Sequence, residues 1–321
     1  MHFLILGGVF LGWSLGSNDA ANVFGTAVAS RMVRYRTAAL LIAVFVIAGA
    51  LLQGGPGIEQ VGTLTAVEGE RSVVSAFVAC IVAGLTVTVM TTLKLPVSAT
   101  QALAGAVIGT GLFLDPPGVQ WGSFGKMVLC WVFTPVGGAV MALILYPLLA
   151  RGLDAMRPGL LARAVMLKIA IIIAGAYGAY ALGANNVGNV TGPFYGTGKW
   201  GHDVASLALI GGAAIALGAL TYSRNVMFTV GSRLVALDAF SALVAVLAEA
   251  ATVHGFALLH VPVSTSQAIV GAVLGIGLHK GVKTINRRTL LGIGFGWVCT
   301  PAISAAAGYA AAALAAGAGW L

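Results

Sequence analysis

The chain has 321 residues, 59% of them hydrophobic and only 8% charged, with a formal net charge of +8. A soluble domain carries about a quarter charged residues, so a water-soluble fold is excluded in favour of a lipid bilayer. The basic surplus lies in short clusters between apolar runs, not on an aromatic-interleaved face, which excludes nucleic acid as a partner.

Ten apolar segments follow in chain order, at 3–30, 37–55, 72–93, 97–114, 123–150, 164–192, 203–222, 235–259, 262–279 and 289–316. Most reach the roughly 20 residues a helix needs to cross the hydrocarbon core. The fourth and ninth are shorter, and either cross or turn back as re-entrant hairpins lined by protein. The opening MHFLILGGVFLGWSLG has the apolar run of a signal peptide without its basic leader, so it is expected to be retained. Its GWSLG fits the serine-hydrolase elbow, but it lies within an apolar helix instead of a strand-to-helix turn. Cys80, Cys130 and Cys299 stand far apart in apolar stretches, which suits neither a disulfide framework nor a Cys/His metal site.

Orientation follows from Lys and Arg. The odd-numbered connections hold Arg31, Arg34, Arg36, Lys94, Arg151, Arg157, Arg163, Lys168, Arg224, Arg233, Lys280, Lys283, Arg287 and Arg288, which is 14 of the 17 basic residues. Those connections are expected to be cytoplasmic and both termini external, in a multi-pass protein of the cell membrane.

Three stretches recur. GSNDAANVFG (Gly16 to Gly25) matches GANNVGNVTG (Gly183 to Gly192) at a shift of 167. PVSATQALAGAVIGTGL, from Pro96, matches PVSTSQAIVGAVLGIGL, from Pro262, at a shift of 166, and WVFTP (Trp131 to Pro135) matches WVCTP (Trp297 to Pro301) at the same shift. A near-constant offset indicates an internal duplication. Five segments per half, an odd number, make the halves inverted. The fold expected is therefore an all-α integral membrane protein of two inverted-topology repeats, 1–150 and 164–321, joined by a short cytoplasmic connection at 151–163. Such repeats are typical of secondary transporters, which hold substrate at the repeat interface near the midplane.

The decamers are rich in Gly, Ser and Asn, poor helix formers that predict broken helices, whose exposed ends suit an anion or a cation. Asp19 adds a carboxylate inside an apolar segment, a costly placement that marks an ion path or a buried partner. Asn18, Asp19 and Asn22 could equally serve only to hydrogen-bond neighbouring helices. Pro96 and Pro262 favour a first helical turn, which brings Ser98, Ala99 and Thr100, and Ser264, Thr265 and Ser266, close to helix N-termini. There, hydroxyls and free N–H groups would converge on a tetrahedral oxyanion without fixed positive charge; ordinary N-capping is the plainer alternative. Gly105 with Gly109 and Gly271 with Gly275 make small-residue contact faces. Glu249 is the other embedded acid, suited to bind or relay a cation or to pair with His254 or an Asn. A passive anion channel would use the same donors. A membrane hydrolase is disfavoured, because Asp19 has no base beside it to activate water.

GSNDAANVFGTAV, GANNVGNVTGP, PVSATQALAGAVIG and PVSTSQAIVGAVLG closely resemble the duplicated signatures of the inorganic phosphate transporter (PiT) family, close to GANDVANAxG and PVSTTHxIxGxxxG. The resemblance covers both halves. It implies a non-enzymatic symporter, in dimers, that takes up phosphate with Na⁺ or H⁺, or sulfate in one branch, and uses no other cofactor. It also implies substrate positions at Asp19, Asn22, Ser98, Thr100, Asn186, Asn189, Ser264, Thr265 and Ser266. Cation positions are expected at Asn18, Asp19, Asn185 and Glu249, with Na⁺ at Asp19, and supporting roles at Gln101 and Gln267. Two positions depart from the family: Asn186 replaces a usual Asp, which removes one of two paired carboxylates, and Gln101 and Gln267 replace common His, which removes two titratable groups.

Overall fold

A computed structural model describes residues 2–64, 70–92, 97–197, 203–233, 237–281 and 287–321. Among these residues there is no strand. The helices are α1 (Leu6–Ala29), α2 (Tyr35–Gln53), α3 (Gly55–Gly62), α4 (Glu70–Thr92), α5 (Ala99–Leu114), α6 (Trp121–Ala155), α7 (Leu160–Thr191), α8 (Val204–Thr221), α9 (Ser223–Arg233), α10 (Ala239–Leu258), α11 (Thr265–Lys280) and α12 (Arg287–Gly317). Among the described residues, seven helices, α2, α4, α6, α7, α8, α10 and α12, contain stretches long and apolar enough to cross a bilayer. At 16 residues each, α5 and α11 are about 24 Å long, short of the roughly 30 Å hydrocarbon core.

Each of the ten expected segments holds one long helix. The short α3 and α9, which follow α2 and α8, were not anticipated; both lie inside or beside the expected connections. Helix α6 runs to Ala155 and α7 starts at Leu160, so residues 156–159 join them.

The decamers do not break their helices. Helix α1 runs unbroken through Gly16–Gly25, and α7 runs through Gly183–Thr191 before a 3-10 turn at Gly192–Phe194. The physical reason is burial. Nearly every residue of both stretches is shielded from solvent, so water cannot compete for the backbone, and the asparagine side chains bond to other helices and to polar side chains one turn away instead of to their own helix's main chain. The glycines serve close approach: a methyl on Gly16 would run into the Ile215 carbonyl of α8, and one on Gly183 into the Val46 carbonyl of α2. The real interruptions are the segments before α5 and α11, where Val97–Ser98 and Val261–Ser264 run without helix.

Packing contacts come in pairs related by the same shift. Helix α1 packs on α8 as α7 packs on α2, and α5 packs on α12 as α11 packs on α6. The small-residue faces mediate the second pair. A methyl at Gly105 or Gly109 would meet the backbone of Pro301 or Ala305, and one at Gly271 or Gly275 that of Pro135 or Ala139. The outward faces also correspond: Leu129 and Val132 on α6, and Phe295 and Val298 on α12, are all exposed. Large apolar side chains facing outward on such helices are what lipid contact requires.

Candidate functional site

Helices α5 and α11 begin deep in the bundle. Ser98 and Ser264, both about 2% exposed or less, are the N-caps, and each side-chain oxygen accepts the main-chain N–H three residues on, from Gln101 and Gln267, at 3.2 Å. Pro262 therefore stands in the extended approach instead of the first turn, contrary to expectation, and Pro96 lies outside the described residues. Serine wins the cap because its oxygen satisfies a first-turn N–H, which proline cannot do. The cap uses only a lone pair, so each hydroxyl hydrogen remains available to an anion.

The two tips hold each other. Thr100 Oγ1 donates to the Val263 carbonyl at 3.2 Å, and its counterpart Ser266 Oγ donates to the Val97 carbonyl at 3.2 Å. Two asparagines, one from each decamer, then donate to those hydroxyls: Asn189 Nδ2 to Thr100 Oγ1 at 2.8 Å, and Asn22 Nδ2 to Ser266 Oγ at 3.2 Å. One turn back on each helix, Asn189 Nδ2 also reaches Asn186 Oδ1 at 2.9 Å, and Asn22 Nδ2 reaches Asp19 Oδ1 at 3.4 Å. The substrate positions expected from sequence are thus gathered from α1, α5, α7 and α11 into one buried cluster.

The halves differ at two points. Thr265 Oγ1 donates to Asp19 Oδ2 at 2.9 Å, whereas Ala99, its counterpart, offers Asn186 no hydroxyl. The carboxylate and the hydroxyl that serves it are both missing from the second pairing. Asn185 clamps Val263 with its whole carboxamide, Nδ2 donating to the carbonyl at 2.7 Å and Oδ1 accepting the N–H at 2.9 Å. Its counterpart Asn18 is half-buried and donates to Thr91 Oγ1 of α4 at 2.7 Å instead.

Several buried polar atoms have no hydrogen-bond partner among the described residues: Asn186 Nδ2, Asn189 Oδ1, Gln101 Oε1, Gln267 Oε1 and Glu249 Oε2. Buried polar groups are normally paired, so these atoms have hydrogen-bonding capacity to spare. Glu249, on α10, is within electrostatic reach of Asp19, and a methyl added to Gly178 of α7 would lie 3.7 Å from its Oε2. It does not pair with His254. That imidazole instead joins Tyr177 Oη at 2.9 Å and Gln53 Oε1 at 2.6 Å. Sequence reasoning missed the main-chain carbonyls of Val97 and Val263, which carry no side-chain signal. Ser-x-x-Gln, the capping pattern, was the available clue to the helix starts.

A model of the phosphate transporter family matches residues 15–308. The chain belongs to that family. Members of the phosphate transporter family are transporters and not enzymes, and this one is a multi-pass membrane protein by its helices and its kinship. Among its relatives is a proposed phosphate permease of Methanocaldococcus jannaschii, 32% identical over 94% of this chain and 93% of the relative. A sulfate permease of Bacillus subtilis is 27% identical over 95% of this chain and 85% of its own length. Among solved structures, a sodium-dependent phosphate transporter shares the fold, with a TM-score of 0.85, 24% identity, and coverage of 98% of this chain and 99% of that one.

Proposed function

We propose that this member of the family is a secondary active transporter that takes up inorganic phosphate in symport with a cation, by alternating access around the buried cluster. The observation that carries the reading is the meeting of two capped helix starts in the protein interior. Hydroxyls of Ser98, Thr100, Ser264, Thr265 and Ser266 and carboxamides of Asn22, Asn186 and Asn189 converge there. Neutral donors at helix N-termini stabilise an oxyanion yet release it more readily than a fixed cation would. In this reading α5 and α11 are short helices whose tips face each other inside the membrane, and the two halves are inverted repeats with both termini external. A homodimer is the expected assembly.

The coupling ion, Na⁺ or H⁺, belongs at Asp19, the one carboxylate in the cluster, with Asn18 at its edge and Glu249 behind it. Sodium is favoured by the structural neighbour, whose phosphate transport is sodium-dependent. Asn185 would order the α11 tip, since both ends of its carboxamide are taken by Val263. Gln101 and Gln267, one turn inside each tip, would support the anion.

Uptake of radiolabelled phosphate into sealed proteoliposomes tests this, with Na⁺ replaced by choline, at two pH values and with excess sulfate. Accumulation against the gradient that requires the cation supports the symporter; equilibration without accumulation favours a passive anion channel. The second reading, a sulfate permease, is kept open by the Bacillus subtilis relative, and inhibition by sulfate but not by unlabelled phosphate would establish it.

A further inference from the structure

The orientation of two carboxamides in the cluster is fixed by their partners. Thr100 Oγ1 gives its only hydrogen to the Val263 carbonyl, so towards Asn189 it can only accept, and the Asn189 atom 2.8 Å away must be Nδ2. The same Nδ2 lies 2.9 Å from Asn186, whose near atom must then be Oδ1. Two atoms are left over: Asn189 Oδ1, an acceptor, and Asn186 Nδ2, a donor. The residues are 0% and 1% exposed, and neither atom has a partner among the described residues. Two amides one turn apart on α7 thus share one N–H···O bond while the complementary bond, from Asn186 to Asn189, is not made.

The first half is different at the same place. Asp19 stands where Asn186 does, and both its oxygens are engaged, one by Asn22 and one by Thr265. A cation that approached Asn186 would meet donor hydrogens on Nδ2, so the second half is unsuited to mirror a cation site at Asp19. It offers instead an unpartnered donor and an unpartnered acceptor one turn apart on α7, and an anion with an acceptor oxygen and a hydroxyl on the same centre would satisfy both.

We propose that Asn186 and Asn189 read the protonation of the anion. Asn186 Nδ2 donates to an unprotonated oxygen, Asn189 Oδ1 accepts the hydrogen of a P–OH, and the pair selects phosphate over sulfate. The inference rests on the phosphate-transport reading above and gives it a source of specificity. Phosphate keeps at least one hydroxyl hydrogen at neutral pH; sulfate keeps none. Opposite sulfate, Asn189 Oδ1 would face an anionic oxygen with no hydrogen between them and would lose its solvation without replacement. Sites built to hydrogen-bond a substrate hydroxyl reject analogues lacking it far more strongly than apolar pockets reject a missing methylene.

The test uses the full chain in sealed proteoliposomes and competes labelled phosphate with three tetrahedral anions. Arsenate carries a hydroxyl. Fluorophosphate has the shape and charge of hydrogenphosphate with the hydroxyl replaced by fluorine, and sulfate has no hydroxyl. Arsenate should compete within about threefold of unlabelled phosphate, and fluorophosphate and sulfate at least about 100-fold more weakly. In Asn186→Asp the shape and the acceptor for Asn189 are kept but the free donor is lost, so phosphate affinity at fixed Na⁺ should fall by about tenfold or more. Phosphate accumulation with fluorophosphate or sulfate competing as well as arsenate overturns this inference and leaves the transport reading standing, as does Asn186→Asp with unchanged affinity. Failure to accumulate phosphate, or a preference for labelled sulfate, overturns both. Should the variant not fold, the competition series on the unaltered chain decides.

Discussion

Removing the carboxamide of Asn185 should cost the protein much more than removing that of Asn18, although the two occupy matching places in the duplicated decamers. Asn185 is 1% exposed and holds both polar groups of the Val263 main chain, at 2.7 and 2.9 Å. In Asn185→Ala the Val263 carbonyl keeps Thr100 as a donor, but the N–H loses its partner inside the bundle. A buried donor left unpaired costs about 1–3 kcal/mol, and the lost second bond adds about 1 kcal/mol, for a total of about 2–4 kcal/mol. For a chain of 321 residues that corresponds to a fall in melting temperature of roughly 3–6 °C. Asn18 is half-buried and makes one bond, to a Thr91 hydroxyl that also binds its own helix, so Asn18→Ala should cost about 1 kcal/mol or less. Thermal unfolding in detergent followed by tryptophan fluorescence measures both, and phosphate uptake in proteoliposomes reports whether the α11 tip has lost its register. Equal melting temperatures for the two variants, or an Asn185→Ala protein with unaltered stability and uptake, would refute the claim that this side chain holds the tip.

Asp19→Asn should abolish cation-driven accumulation of phosphate while protein levels stay near normal; unimpaired uptake would remove the ion-binding role given to that residue. Gly271→Ala places a methyl against the Pro135 carbonyl and should destabilise by about 1–3 kcal/mol, whereas Gly122→Ala meets nothing within 4 Å and should leave the melting temperature unchanged or slightly raised. Asp238 caps α10 and pairs with Lys280. Burial pushes its carboxyl up, but bonds from Lys280 and Ser241 outweigh this and hold it at about 2. The folded value is depressed, so its contribution is present above about pH 4, the ordinary carboxylate value, and is lost as pH falls through about 2. Asp238→Ala should cost about 1 kcal/mol, chiefly from the cap, since the ion pair is partly screened by solvent. Stability measured at pH 7 and again below pH 3 should show the difference between the two proteins shrinking at the lower value.

Much of the fold was legible because apolar run length and duplication are coarse signals that burial reinforces. The ten segments, the polar stretches whose side chains gather in the interior and the small-residue faces were all readable from the sequence. What was misread depended on context. Glycine and asparagine weaken a helix in water, where solvent competes for the backbone, but these stretches of α1 and α7 are buried in the bundle, and the same residues there shorten helix–helix distances and bond sideways. Proline was expected to start α5 and α11, yet at α11, whose approach is described in full, the serine two positions later supplies the cap. The short α3 and α9 carried too few apolar turns to stand out. Within the site, residue identity indicated which side chains would gather but not how they would pair. That Ala99, and not a hydroxyl, occupies the place in the first half that Thr265 holds in the second became meaningful only once Thr265 was found on Asp19. Likewise, the main-chain carbonyls of Val97 and Val263 tie the tips together through groups that every residue possesses.

The measurement that bears most directly on the account is a density map of the protein with phosphate and Na⁺ in a lipid environment. A tetrahedral density within hydrogen-bond reach of Thr100, Asn186, Asn189 and Ser266, with a cation at Asp19, is the predicted result. Anion density elsewhere in the protein, with the starts of α5 and α11 still closed on each other, would contradict it.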